Sequence, residues 1–185
     1  MLEKYLITHC SPTLASLKTA NLFRIHISPE ELEEQLSGWN RRLNPKGIAL
    51  HVLRERDNEA LIYVCRRARL REDLCKPGVA RFLESYGYTH AGADAALERL
   101  RERLAAQGIH EDFPHEIGIF LGYPLGDVEG FIRHGGRGCK CSGCWKVYCD
   151  ECEARKTFAK FRKCKDVYIR LWSQGRSVCQ LAVAA

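Results

Sequence analysis

Apolar positions along this chain repeat with two spacings, one helical and one alternating, and the spacing changes between segments. Residues 1–10 place Leu2, Tyr5 and Leu6 at helical spacing, and Ser11-Pro12 is expected to end that helix. In 21–27, Phe23, Ile25 and Ile27 alternate with Arg24 and His26, the pattern of a strand with one covered face. Ser28-Pro29-Glu30-Glu31 then supplies a capping hydroxyl, a proline at the first helical position and acids in the first turn. That helix runs to about Leu43, and Asn44-Pro45-Lys46-Gly47 closes it.

The clearest local signal is a hairpin. Segments 48–54 and 60–66 flank the turn-forming Asp57-Asn58. In the second segment Leu61, Tyr63 and Cys65 share one face, and Ile62 and Val64 share the other. Two apolar faces predict a strand covered on both sides. Short helices are expected over 67–75 and 77–86, around Lys76-Pro77-Gly78. Residues 93–106 carry Ala93, Ala96, Leu97, Leu100 and Leu104 on one stripe, with Gly108 at the expected C-cap position. Pro114 is expected to open a helix through about Leu121. Pro124 starts another over 125–134, with Leu125, Val128, Phe131 and Ile132 facing inward. Gly135-Gly136-Arg137-Gly138 reads as a loop and 145–148 as a short strand. A long basic helix over roughly 151–173 follows, and Gly175 leads into a last helical segment. The expected class is α+β: a small, mainly antiparallel sheet covered by helices, in one domain spanning 1–185.

Composition agrees with a globular chain of 185 residues, 45% hydrophobic and 28% charged. No apolar run reaches the length of a membrane-spanning helix, and the first residues lack the pattern of a signal peptide. The expectation is therefore a cytoplasmic protein with no membrane partner, whose ten cysteines are reduced thiols. The net charge of +6 permits an anionic partner without arguing for nucleic acid.

Four segments stand out in order: His9-Cys10-x-Pro12-Thr13-Leu14-Ala15, Leu43-Asn44-x-Lys46-Gly47, Pro114-His115-Glu116-Ile117-Gly118-Ile119-Phe120-Leu121-Gly122-Tyr123-Pro124, and Trp145-Lys146-Val147-Tyr148. Together, over almost the whole chain, they resemble a bacterial family of unknown function found mostly in anaerobic Firmicutes. The resemblance brings no established activity. It implies at most a link to anaerobic redox or iron metabolism.

His115 and Glu116 are expected in the first turn of a helix, where free N–H groups favour an anion; equally, Glu116 would cap and His115 would pack. They do not form a zinc-protease motif, because Ile119 stands where the second histidine would be. His9 and Cys10 sit near a helix end, where a thiol is a nucleophile or soft ligand if accessible and a small hydrophobe if buried. Lys18 and Lys46 are candidates for holding an anionic group, and Tyr123 and Trp145 for lining the same site. Cys141-x-x-Cys144 and Cys149-x-x-Cys152 have the pairing that zinc and iron–sulfur sites use. Against that, only four residues separate the pairs, and a strand over 145–148 points Cys144 and Cys149 to opposite faces. Arg155, Lys156, Lys160, Arg162, Lys163 and Lys165 give the long helix a basic side, read as solvated, with Phe158, Phe161 and Val167 buried. Phosphate-loop and serine-hydrolase templates fail. The sequence thus predicts a protein that binds a small ligand or cofactor (zinc, iron, heme or flavin). Its rivals are an enzyme using Cys10 or His115 and an interaction protein using the basic helix.

Overall fold

The computed structural model describes residues 2–89, 91–106 and 113–184. The chain runs α1 (Leu2–Leu14), β1 (Ala20–His26) and α2 (Pro29–Leu43), then through a 3-10 turn (Asn44–Lys46) into β2 (Ile48–Arg56) and β3 (Glu59–Arg66). There follow α3 (Arg67–Leu74), α4 (Val79–Glu84), α5 (Ala93–Ala105), the single turn α6 (Ile117–Phe120) and α7 (Leu125–His134). A two-stranded ribbon, β4 (Cys141–Ser142) and β5 (Lys146–Val147), precedes the long α8 (Glu151–Ser173) and the short α9 (Val178–Leu181). The main sheet has the order β1-β3-β2 with antiparallel neighbours. The fold is α+β, as the alternation of periods predicts.

β3 sits in the middle because only a central strand hides two faces. Every residue from Ala60 to Arg66 is buried. Ile62 and Val64 join Leu6, Ile7, Cys10, Phe23, Ile25 and Tyr168 in a core beneath α1, α2 and α8. Leu61, Tyr63 and Cys65 join Leu70, Leu83, Leu97, Leu100 and Phe120 on the other side, under α3 to α6. The β2–β3 hairpin turns through Asp57 and Asn58, both left-handed at φ 52° and 60°, the pair of conformations a tight right-twisted hairpin requires. Leu53 is the extra residue of a bulge between the pairs Val52–Ile62 and Arg54–Leu61.

Helix starts follow local chemistry. The Ser28 hydroxyl accepts from the Glu31 N–H at 3.3 Å, and the Asp150 carboxylate accepts from the Glu153 N–H at 2.9 Å. Two expectations need correction. α1 does not stop at Ser11-Pro12 but continues to Leu14. Its terminal carbonyls are satisfied from outside the helix: Arg66 Nε donates to Thr13 O at 2.8 Å, Arg66 Nη2 to Leu14 O at 2.5 Å, and the Leu17 N–H to Pro12 O at 2.8 Å. Tertiary partners hold a last turn that proline alone would discourage. The helix expected from Pro114 to about Leu121 shrinks to Ile117–Phe120, with His115 and Glu116 in a turn before it. The inward face expected of α7 holds but is less covered than expected: Val128 is buried, while Leu125 and Ile132 pack half-covered against the second core and Phe131 is half-covered too. The expected cap Gly108 lies outside the described residues.

Arg66, 2% exposed, therefore ties β3 to the end of α1 and, through Lys46 O at 3.3 Å, to the turn before β2. Replacing Arg66 with Met should strand these carbonyls away from water. We expect a loss of about 2–4 kcal/mol, read from the midpoint of urea unfolding, while far-ultraviolet circular dichroism of the folded state stays unchanged.

Candidate functional site

A cleft of about 600 Å³ opens beside the edge strand β1. Its walls come from the second half of α1, the loop after it, the start of β1, the segment after α6, the β4–β5 turn and α8. The polar side chains lining it include His9, Lys18, Asn21, Tyr123, Arg162 and Lys165. Leu22, Leu121, Phe158 and Phe161 give it apolar surface. No aspartate or glutamate is among the described residues lining it.

Lys18 reaches this place because the chain reverses sharply after α1. Ser16 adopts a left-handed φ of 58°, and the N–H groups of both Leu17 and Lys18 donate to Pro12 O. The Lys18 side chain is 6% exposed. Its Nζ donates to Ala20 O at 2.6 Å and lies 5.2 Å from the centre of the Tyr123 ring. Burial lowers its pKa from the ordinary lysine value to about 8, with Cys144 and Cys10 opposing the shift in part. His9, on the exposed face of α1, has its ring 5.6 Å from both Tyr5 and Phe23. Its pKa is lowered by partial burial and then by the cation of Lys165. Tyr123 donates its hydroxyl to Cys144 O at 3.1 Å. Burial, then Cys144, pushes its phenol up to about 12.

A second, smaller cavity of about 300 Å³ lies behind the same wall. Tyr123 and Gly143 line both spaces. Here His115 meets the edge of Phe131 at 4.8 Å, and Trp145 stacks on Tyr123 at 5.0 Å. The partition is held by Asp127, 3% exposed. One carboxylate oxygen accepts from Trp145 Nε1, the other from the Tyr148 and Cys149 N–H groups, all at 2.8 Å. Gly143 must be a glycine, because a Cβ there would run into the Phe158 ring of α8.

The structure sorts the sequence candidates into three groups. His9, Lys18, Tyr123 and Cys144 share the larger cleft, and His115, Tyr123 and Trp145 share the smaller cavity. Cys10, Lys46 and Glu116 line neither. Cys10 is 0% exposed in the core beneath α1, where burial drives its thiol pKa strongly up. Lys46 Nζ donates to Ala182 O at 2.8 Å, docking the C-terminal segment. Glu116, 1% exposed, accepts from Arg103 Nε at 2.5 Å and from the Tyr88 hydroxyl at 3.0 Å. It is an internal ion pair rather than a helix cap, since the turn before α6 swings its carboxylate into the protein. The four cysteines do not converge. Cys144 faces the cleft, Cys149 Sγ packs against Gly126 of α7, and Cys141 stands half-buried on β4. Among the described residues no three His, Cys, Asp or Glu side chains meet as a metal's ligands would. All ten cysteines are free thiols.

Arg162 and Lys165 are the residues whose place in the cleft the sequence concealed. They read as part of a solvated basic face, yet Phe158, Phe161, Arg162 and Lys165 fall at helical spacing on the side of α8 that meets the cleft. That spacing was the available signal. Asp127 carried none, because its partners, two backbone N–H groups and the Trp145 indole, belong to a ribbon distant in sequence.

Fold and site together define an α+β protein with a cation-lined cleft walled by aromatic side chains. The chain belongs to the family described as a protein of unknown function, DUF3793, whose sequence model matches residues 6–182. No curated protein and no solved structure matches it significantly. Among the described residues no helix is long and apolar enough to cross a membrane.

Asp127 offers a direct test of the partition. In Asp127→Asn one side-chain oxygen still accepts from the Tyr148 and Cys149 N–H groups, but the new amide presents a donor to the Trp145 indole N–H. We expect about 1–3 kcal/mol of lost stability and a red-shifted tryptophan emission as Trp145 loosens. Unchanged emission and stability would remove Asp127 from this role.

Proposed function

We propose that this protein binds a small organic anion in the cleft beside β1. The acidic group lies among Lys18, Arg162 and Lys165, and a flat apolar part rests against Tyr123, Phe158 and Phe161. The observation that carries this reading is the buried Lys18 ammonium in a cleft whose described lining includes no carboxylate. Burying a cation without a counter-charge is unfavourable, and an anion arriving in the cleft relieves that penalty. Arg162 adds a planar fork suited to phosphate or carboxylate oxygens. A volume of about 600 Å³ lies within the range of small-molecule sites.

Of the cofactors that the sequence raises, flavin mononucleotide and heme each join acidic groups to a flat ring. Both fit this division of labour, and both agree with a link to anaerobic redox or iron metabolism. A bare zinc or iron ion has no comparable set of ligands among the described residues.

Titration of the full chain with flavin mononucleotide, with inorganic phosphate as competitor, tests the reading. Replacing Arg162 and Lys165 together with Ala should weaken binding at least about tenfold, since one charge-assisted bond already exceeds 1.4 kcal/mol. Lys18→Met should weaken it further. The sign of the pH dependence follows from Lys18: with its pKa near 8, the side chain is charged below that pH and neutral above it. Affinity should therefore be highest below about pH 8 and fall as pH rises through it. Flavin and phosphate affinities indifferent to all three side chains would sink the proposal.

A further inference from the structure

We propose that Lys18 is a covalent site for an anionic aldehyde or ketone, its side-chain amine condensing with the carbonyl to form an imine while Arg162 and Lys165 hold the acidic group. The inference rests on the anion-binding reading and adds a substrate class and a reaction to it.

The geometry separates two jobs that a carbonyl-bearing anion needs. Arg162 and Lys165 are exposed and project from α8, where they meet an incoming acidic group. Lys18 comes from a different element of the same cleft, the turn after α1, with Ala20 O accepting from its nitrogen at 2.6 Å. That acceptor and the neighbouring Tyr123 ring fix the direction of the side chain, which is part of the cleft's lining. Phe158, Phe161, Leu22 and Leu121 supply the apolar surroundings that slow hydrolysis of an imine once formed.

The chemistry balances without an oxidant or reductant. The lone pair of Lys18 Nζ attacks the carbonyl carbon, and the opening oxygen takes the proton that the nitrogen sheds. The proton that the ammonium gave up to solvent on becoming neutral returns from solvent to the hydroxyl, which leaves as water, and a protonated imine remains. The step needs a neutral amine. Burial supplies one: with a pKa of about 8, roughly a quarter of Lys18 is neutral at pH 7.5, against roughly 0.1% for an ordinary lysine. Buried amines of lowered pKa are the usual imine-forming lysines. Cys144 also faces the cleft, but burial raises its thiol pKa despite Lys18, Arg162 and Lys165, so the amine is the better nucleophile there.

The full chain is incubated with pyridoxal 5′-phosphate, or with 5′-deoxypyridoxal, which lacks the phosphate and cannot close to a hemiacetal, then reduced with cyanoborohydride and mapped by mass spectrometry. Lys18 should be labelled at least about tenfold faster than the exposed Lys160 and Lys163 of α8, following its larger neutral fraction. Deoxypyridoxal should label it more slowly than the phosphate does. The double replacement Arg162→Ala with Lys165→Ala should erase that difference while leaving Lys18 reactive to deoxypyridoxal. Lys18→Arg should lose the fast adduct. Labelling spread evenly over surface lysines, or absent from Lys18, overturns the proposal. If flavin mononucleotide and phosphate bind as described above and Lys18 stays unlabelled, the imine alone fails; if neither binds, the anion site fails with it.

Discussion

The fold depends on one strand that cannot be exposed on either side. β3 carries Leu61, Tyr63 and Cys65 toward one layer of helices and Ile62 and Val64 toward the other. At about 1.5–3 kcal/mol for each fully buried large apolar side chain, neither face can be left to water. A single three-stranded sheet therefore needs helices above and below it. β1 and β2 must flank β3, which makes β1 an edge. The cleft lies at that edge, where α1, the ribbon β4–β5 and α8 meet but do not close. The last residue of β3 extends the dependence: Arg66 leaves the sheet and holds the end of α1. That end fixes where the chain reverses, and the reversal sets Lys18 in the wall.

What the sequence made legible was whatever local chemistry decides. Two apolar faces in 60–66, two turn formers at Asp57 and Asn58, and a capping serine before Pro29 each act within a few residues, and each element stands close to where its pattern placed it. Pro12 and Pro114 misled for one reason: both are local signals outvoted by distant partners. Arg66 sustains α1 past Pro12, and Arg103 with Tyr88 draws Glu116 inward, leaving α6 as a single turn. The site divides along the same line. His9, Lys18 and Tyr123 were visible as polar residues within or near distinctive motifs. Arg162 and Lys165 were visible only as charges on a helix, because which face of α8 meets α1 is a tertiary fact. The cysteine pairs resembled metal-site pairs but were too closely spaced, and among the described residues no three potential ligands come together.

The buried charges of the described residues are the reason we propose the cleft, rather than the smaller cavity, as the site. Glu116 has Arg103, and Asp73 has Lys76 at 2.5 Å together with the Thr19 hydroxyl. Asp127 has three N–H donors, and Arg66 has three carbonyls. Each is saturated by groups of the protein itself, so each is accounted for by folding. Lys18 has one carbonyl and the face of one ring, with two further cations lining the same cleft and no described acid there. A cation left in that state is a weakness in the folded protein. It becomes intelligible if the missing partner arrives from outside, or if the amine is meant to lose its proton. Both lead to the same atom, Lys18 Nζ, and in both Arg162 and Lys165 of the same cleft favour a visitor that carries negative charge.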